Sequence, residues 1–431
     1  MSRIAVLGGH IIDPAQKFDQ IADLYLAEGK IVACGPAPAG FTADQTIAAA
    51  GLIVCPGLID IRARTREPGL EYKATIASET AAALCGGITR ICCPPDTEPV
   101  IDNPAMAHMV QQRARLTGNA IIHPLGALTQ ELGSERISNM AALAAAGCVG
   151  VSNGLAAISN SLVMRRAMQY AQTCHLTVFL HSLDPWLAGN GCVHEGEVST
   201  RLGLPAIPEA AETVAVARDL ALIEQTGCCA HFCQLTSARA ISMVATAQQR
   251  GLNVSADVSI HHLHLSERDI GYFDTACHVL PPLRSEQDRQ ALRAAVRDGN
   301  ISVICSDHQP HEPDAKLAPF SESAPGISGL ETLLPLTLQL VDEGLLSYSQ
   351  ALACLTSAPA DLLHIDAGHL QTGATADLCL LRPNQRWTLE SQMLHSRGHN
   401  SPFIGTTFNH RVVMTFLQGR VAHTLESLPL C

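Results

Sequence analysis

The sequence contains no Cys-x-x-Cys pair, no run of lysine or arginine, and no apolar stretch long enough to cross a bilayer. Each absence excludes something. Without a basic run, and with a net charge of -12 and a pI near 5.8, the chain carries no nucleic-acid footprint and no means of holding an anionic membrane surface. Small molecules or other proteins are the expected partners. The opening residues MSRIAVLGGHIIDPAQKF lack the charged start, apolar stretch and small-residue cleavage site of a secretory leader, so a soluble, cytoplasmic protein is expected. The sixteen cysteines sit inside apolar runs (Cys55, Cys92, Cys93, Cys228, Cys229 and Cys305 among them), which favours buried reduced thiols over disulfides or a zinc knuckle. The Gly-Gly pairs at 8–9 and 86–87 have no phosphate-loop spacing, and Ser306 has no Gly-x-Ser-x-Gly context. Neither a nucleotide cradle nor a serine nucleophile is indicated.

What is present is an apolar chain: 431 residues, 47% hydrophobic and 16% charged, enough for one large domain and something smaller. The first fifty residues read as short strands, RIAVLGG, ADLYLAEGKIVACG with a hairpin at Glu28-Gly29-Lys30, and QTIAAAG. From residue 52 the period changes. Short apolar runs alternate with amphipathic or Ala-rich stretches: LIVCPGLI, TRICCP, AIIHPLG, CVGVSN, LTVFLHS, CCAHFCQ, LNVSADVS and ISVICSD. Each is followed by room for a helix, although 260–284 is more loop-like. Eight such units predict an α/β fold, a (β/α)8 TIM-like barrel. Strand-like pattern returns in DLCLLRP and RVVMTFLQGRVAH, so both chain ends are expected to form one small β domain. The expected division is 1–51 and 366–431 for that domain and 52–365 for the barrel.

Barrel sites form where strands end. The residues at those points are Arg62 and Arg64, then Asp96, Thr97 and Glu98, Asn153, His181, Gln234, and finally Asp307 and His308. Residues 62 and 64 are two apart and look the same way if the strand continues. Two histidines there would offer imidazole nitrogens to one zinc. Arginine cannot replace them, because a guanidinium has five donors and no accepting lone pair. A divalent cation beside one arginine is repelled by about 8 kcal/mol at ~4 Å and an effective dielectric of about 20.

PGLIDIRARTREPG, ICCPPDTEPVIDNP, VHEGEVSTRLGLPAIPEAAE, HVLPPLRSEQDR, SDHQPHEP and FSESAPGISGLETLLPL together resemble the class I dihydroorotases of the cyclic amidohydrolase superfamily, over nearly the whole chain. In that family a DxHxHxREPG segment opens a dinuclear zinc site. The resemblance implies that the two histidines are replaced by Arg62 and Arg64, the bridging carboxylate by Asn153, and a further histidine by Gln234. His181 and Asp307 survive, which is too few donors for a catalytic zinc. No cofactor is therefore expected, the zinc site being lost. Arg66 matches the residue that holds the substrate carboxylate, whereas Glu98 and Leu280 replace polar positions, and Glu98 would repel an anionic substrate.

The expected vestigial pocket is thus Arg62, Arg64, Arg66, Glu98, Asn153, His181, Gln234 and Asp307, with no catalytic or metal residues. One guanidinium is expected to bridge to Asp307 where metal would have been, since a buried carboxylate left unpaired is costly. His181 reads as a core histidine with a backbone partner. His261, His262 and His264 in SIHHLHL read as structural residues of an extended segment, and His308 and His311 as parts of a turn. Residues 312–326 read as a mobile loop over the barrel mouth.

The resemblance extends to the inactive dihydroorotase-like chains that accompany aspartate carbamoyltransferase in some bacteria. It implies a pseudoenzyme, a non-catalytic structural subunit that binds the catalytic chain of that transferase and homo-dimerises within a larger hetero-oligomer. The alternative is an altered cyclic amide hydrolase with a reduced or absent metal site, using Asp307 as base and His181 or His308 as acid. A small anion held by Arg62, Arg64 and Arg66 is a third reading.

Overall fold

The computed structural model describes residues 3–425. The eight apolar runs become the eight strands of the barrel: Leu58–Asp60, Ile88–Cys93, Ile121–Pro124, Gly150–Ser152, Thr177–His181, Ala230–Cys233, Val254–Ser259 and Val303–Cys305. Neighbours pair in parallel, with Gly126–Ala127 continuing the third strand to reach the fourth. The ring closes through the parallel bridge of Ala63 with His308, where Arg64 N donates to His308 O and His308 N to Arg62 O. Apolar residues line both faces of these strands because helices cover the outside. The helices begin where the sequence supplies side-chain caps, such as Thr75, Asn103, Asn160, Ser237 and Ser285.

Both chain ends join in one mixed sheet. Its order is Arg420–Thr424, Arg411–Leu417, Leu378–Arg382, Ile53–Pro56, Ile4–Asp13, Phe18–Ala27 and Lys30–Cys34, with Gln45–Ala48 beside Ile4–Asp13. A separate core that includes Ile4, Leu24, Ile47, Val54, Leu378 and Phe416 fills it.

The expected barrel start at residue 52 needs correcting. The run LIVCPGLI is two strands: Ile53–Pro56 pairs with Leu378–Arg382 and Ile4–Asp13 in the end sheet, and only Leu58–Asp60 belongs to the barrel. Gly57 makes the switch. A Cβ there would lie 2.5 Å from Thr89 Cγ2, so only glycine lets the chain pass this close to the second barrel strand. Two further expectations change. SIHHLHL is not extended: the chain turns into a short helix, Ile260–His264, whose entry is fixed by Ser259 Oγ lying 3.1 Å from His261 Nε2 and 2.5 Å from His262 Nδ1. The segment 312–326 is packed, with Phe320 buried and stacked on His278, and Lys316 Nζ donating to Thr275 O and His278 O.

Candidate functional site

The mouth of the barrel is organised by Asp60, at the end of the first strand. Its Oδ1 accepts from Arg62 N at 3.2 Å and Ser306 N at 3.1 Å, and Ser306 Oγ bonds its other oxygen. Burial pushes this carboxyl up to about 6, against the lowering effect of the Ser306 and Arg62 hydrogen bonds. The first and eighth strands are thereby locked together, and residues 62 and 64 continue the pairing with residues 306–308. Their side chains then share a face.

That face meets Asp307. Arg62 Nε and Arg64 Nη1 each donate to Asp307 Oδ1 at 3.3 Å. Arg64 also grips Asp96, with Nε donating to Oδ2 at 2.9 Å and Nη2 2.8 Å from the same oxygen. Gln309 Nε2 donates to Asp307 Oδ2 at 3.0 Å. Arg62, Arg64 and Asp307 are 2%, 4% and 1% exposed, so these pairs lie beyond solvent screening. Burial opposes the charge of Arg62, but Cys233, Asp307, Asp257 and Asp96 outweigh it and strengthen its hold on the proton. Burial likewise pushes the Asp96 carboxyl up, and Arg64 with its neighbours more than reverses this. Two guanidiniums and two carboxylates form one closed cluster. Asp307 holds a left-handed backbone (φ 44°), a conformation that a non-glycine residue keeps only when its surroundings enforce it.

The donor set does not suit the family's zinc pair. Asp307 Oδ1 already takes two guanidinium donors, and a metal would sit against two fixed positive charges. A second group in the barrel, His231, Cys233 and Asp257, brings three potential donor atoms within 4.8 Å of one another. It is closed by hydrogen bonds: His231 Nδ1 lies 2.7 Å from Ser255 Oγ and its Nε2 2.9 Å from Asp257 Oδ2, while Asp257 Oδ1 accepts from Gln234 N at 2.8 Å. The charge of Arg62 also acts on Cys233 and Asp257. A cation there would have to displace these bonds and sit against the fixed charge of Arg62.

The remaining expected residues divide. His181 is in the mouth, but neither ring nitrogen has a partner, contrary to the expected backbone bond. Burial, aided by Arg62 and Arg64, lowers its pKa to about 3, so it stands neutral. Gln234 has a left-handed backbone (φ 53°) and a buried side-chain amide without partners. Asn153 ties its own loop to the one after the third barrel strand, accepting from Thr129 Oγ1 at 2.8 Å and donating to Leu132 O at 3.4 Å and Ala156 O at 3.1 Å. Arg66 is not part of the charge cluster. Its Nε donates to Pro310 O at 3.0 Å and its Nη2 lies 3.1 Å from His311 Nε2. Glu98 is exposed, and the acid that enters the mouth from that loop is Asp96.

Sequence reasoning passed over Asp60, Glu79 and Asp257. Glu79 is fully buried and accepts from His308 Nε2 at 2.7 Å and from Ser396 Oγ at 2.6 Å, while Gly329 N donates to His308 Nδ1. The signal available was an acid inside an otherwise apolar segment, at Asp60 in LID and Asp257 in VSADVS.

The fold is shared with the L-hydantoinase of Arthrobacter aurescens, at a TM-score of 0.88 and 21% identity over 100% of this chain and 98% of that one. A D-hydantoinase superposes with a TM-score of 0.81 at 22% identity, over 98% and 95% of the two chains. These likenesses confirm the (β/α)8 barrel with its added β domain. Residues 51–240 match the Dihydro-orotase-like family. A "Dihydroorotase-like protein" of Pseudomonas aeruginosa is 49% identical over 97% of this chain and 99% of its own length, and one of Pseudomonas putida is 49% identical over 98% and 100%. A "Dihydroorotase" of Syntrophotalea carbinolica is 40% identical over 98% and 100%. With identity this high across essentially the full length of each relative, the chain belongs to the dihydroorotase-like family.

Proposed function

We propose that this chain is a catalytically inactive dihydroorotase homologue, without a zinc cofactor at the barrel mouth, that acts as a structural subunit for the catalytic chain of aspartate carbamoyltransferase. The observation that carries the inactive reading is the double ion pair of Arg62 and Arg64 with Asp307. In the family pattern that aspartate both ligates metal and moves the proton. Here its Oδ1 accepts from two guanidiniums that cannot be deprotonated near neutrality, which fill the place of a metal. Nor does a general acid present itself. His181 is neutral, with its pKa lowered to about 3, and His308 is bonded to Glu79 in the interior. The two histidines that an altered cyclic amide hydrolase would use as acid are therefore one neutral ring and one held by Glu79.

The partner reading rests on the resemblance. It is supported by a chain that keeps both cores and the full length of its relatives while its reaction centre is filled with ion pairs. The test is to mix the purified chain with the transferase catalytic chain of the same organism at micromolar concentration. A stable hetero-oligomer on gel filtration, with transferase activity or assembly falling when this chain is withheld, is the expected result. Separate elution at that concentration would remove the partner from the account.

A further inference from the structure

Away from the barrel mouth, four side chains of metal-ligating type from distant parts of the sequence line a small cleft of about 70 Å³ where the end sheet lies against the barrel. Cys85 is the last residue of the helix Ile76–Cys85, and His423 lies on the edge strand Arg420–Thr424. Glu331 precedes the helix Leu333–Asp342, and His395 follows the turn Ser391–Met393. Cys85 Sγ is 3.3 Å from His423 Nδ1, and His395 Nδ1 is 3.0 Å from Glu331 Oε1. Cys85 Sγ, one Glu331 oxygen and one His395 nitrogen all lie within 4.8 Å of one another. The rings of His395 and His423 meet edge to face, with centroids 5.9 Å apart.

These spacings approach those of a coordination shell. Bonds of about 2.0–2.3 Å at tetrahedral angles separate zinc donors by roughly 3.3–3.8 Å. The Cys85–His423 contact lies at the lower edge of that range and the His395–Glu331 contact just below it. Among Cys85, Glu331 and His395 the spacings need contract by no more than about 1 Å, and His423 joins them through its contact with the Cys85 sulfur. Rotation of His395, half of whose side chain is exposed, supplies such a movement. Glu331 has two possible parts. It can give an oxygen to the ion, or it can keep its bond to His395 Nδ1 and orient that ring so that Nε2 faces the ion. Glu331 also accepts from the backbone N–H groups of His395 and Ser396, which fixes the loop that carries the imidazole.

We propose that Cys85, His395 and His423, with Glu331 as fourth ligand or as the partner of His395, bind a zinc-class divalent ion that clips the end sheet to the barrel. A thiolate with two imidazoles selects Zn2+ or Co2+ over Mg2+ or Ca2+. The only covalent bookkeeping is loss of the thiol proton to solvent as sulfur coordinates the ion. Arg411 also lines the cleft, but it stacks over the Trp387 ring at 5.0 Å and makes no ion pair with the Glu331 carboxylate, unlike Arg62 and Arg64 with Asp307 at the mouth.

The test uses the full chain, reduced, stripped with chelator and titrated with Co2+ and then Zn2+. One equivalent of cobalt giving a sulfur-to-cobalt charge-transfer band, bleached by zinc, is expected. Cys85→Ser should abolish the band, and Glu331→Gln should weaken binding roughly 10- to 100-fold if Glu331 orients His395. To guard against a folding defect, melting is compared in chelator, where the wild type and Cys85→Ser should agree. Free zinc at a hundred times its dissociation constant should then raise the wild-type Tm by about 3 °C and leave Cys85→Ser unmoved. A wild-type cobalt complex with no sulfur band, or a band that persists in both Cys85→Ser and His423→Ala, would overturn the assignment.

Discussion

Asp307→Asn removes a charge from the mouth while keeping its shape. In the native chain two guanidiniums, Arg62 and Arg64, face two carboxylates, Asp96 and Asp307. The amide leaves one positive charge in excess, and it falls on Arg62, whose ion pair is with Asp307 alone. Removing one partner of a buried pair costs about 3–5 kcal/mol. The asparagine oxygen still accepts one donor and Arg64 keeps Asp96, so the lower end, ~3 kcal/mol, applies. An unfolding entropy of about 2.1 cal/mol/K per residue over 431 residues gives ~0.9 kcal/mol/K, hence a Tm lowered by about 3 °C. Scanning calorimetry at near-neutral pH measures this, and the loss should persist in high salt because the group is buried. Adding Arg62→Met should recover part of it, with a coupling energy of about 1–3 kcal/mol. A Tm unchanged or raised by Asp307→Asn, or strict additivity in the double variant, would refute the ion-pair account.

Three other outcomes are expected. The double variant R62H/R64H should show no dihydroorotate turnover with zinc present, because Asn153 is an uncharged amide bonded to Thr129, Leu132 and Ala156, and Gln234 offers no anionic or imidazole donor; turnover would mean the arginines alone silence the site. Burial, with Arg62 and Arg64, holds the His181 pKa near 3, below its unfolded value of about 6.5. The neutral ring's contribution is therefore complete above the unfolded value and lost as pH falls toward the folded one. Its loss is about 2 kcal/mol by about pH 5, and denaturant melts of His181→Leu should show that much less acid destabilisation than wild type. Gly57→Ala should cost about 1–3 kcal/mol by overpacking against Thr89, and Thr89→Ala in the same chain should return part of it.

Much of the fold was legible because barrel strands are short apolar runs and their spacing repeats. The break at Gly57 was not, since IVCPGLID is apolar on both sides of it and the switch between sheets depends on how near Thr89 lies. At the mouth, the resemblance, which sets Arg62 and Arg64 in place of metal ligands beside Asp307, leads to the expectation of one guanidinium on that carboxylate; both reach it, because residues 62 and 64 share a face. Asp96 and Glu98 could not be told apart from composition, because which acid enters the mouth is set by the path of the loop Pro94–Pro99. SIHHLHL reads as an extended segment in a loop-like stretch because it has no helical periodicity, whereas Ser259 bonds two of the rings and a short helical turn begins there. The Cys85 and His423 pair is 338 residues apart in sequence and was beyond any motif.

Whether Arg62 and Arg64 fill the place of the family's metal is decided by assaying dihydroorotate turnover with the purified full chain, in both directions, with and without added zinc. The account predicts a rate equal to that of the buffer and zinc alone, whatever ion the cleft at Cys85 retains. Turnover that rises with zinc and is abolished by Asp307→Ala would contradict it, and would mean that Arg62 and Arg64 yield their place to a working metal site.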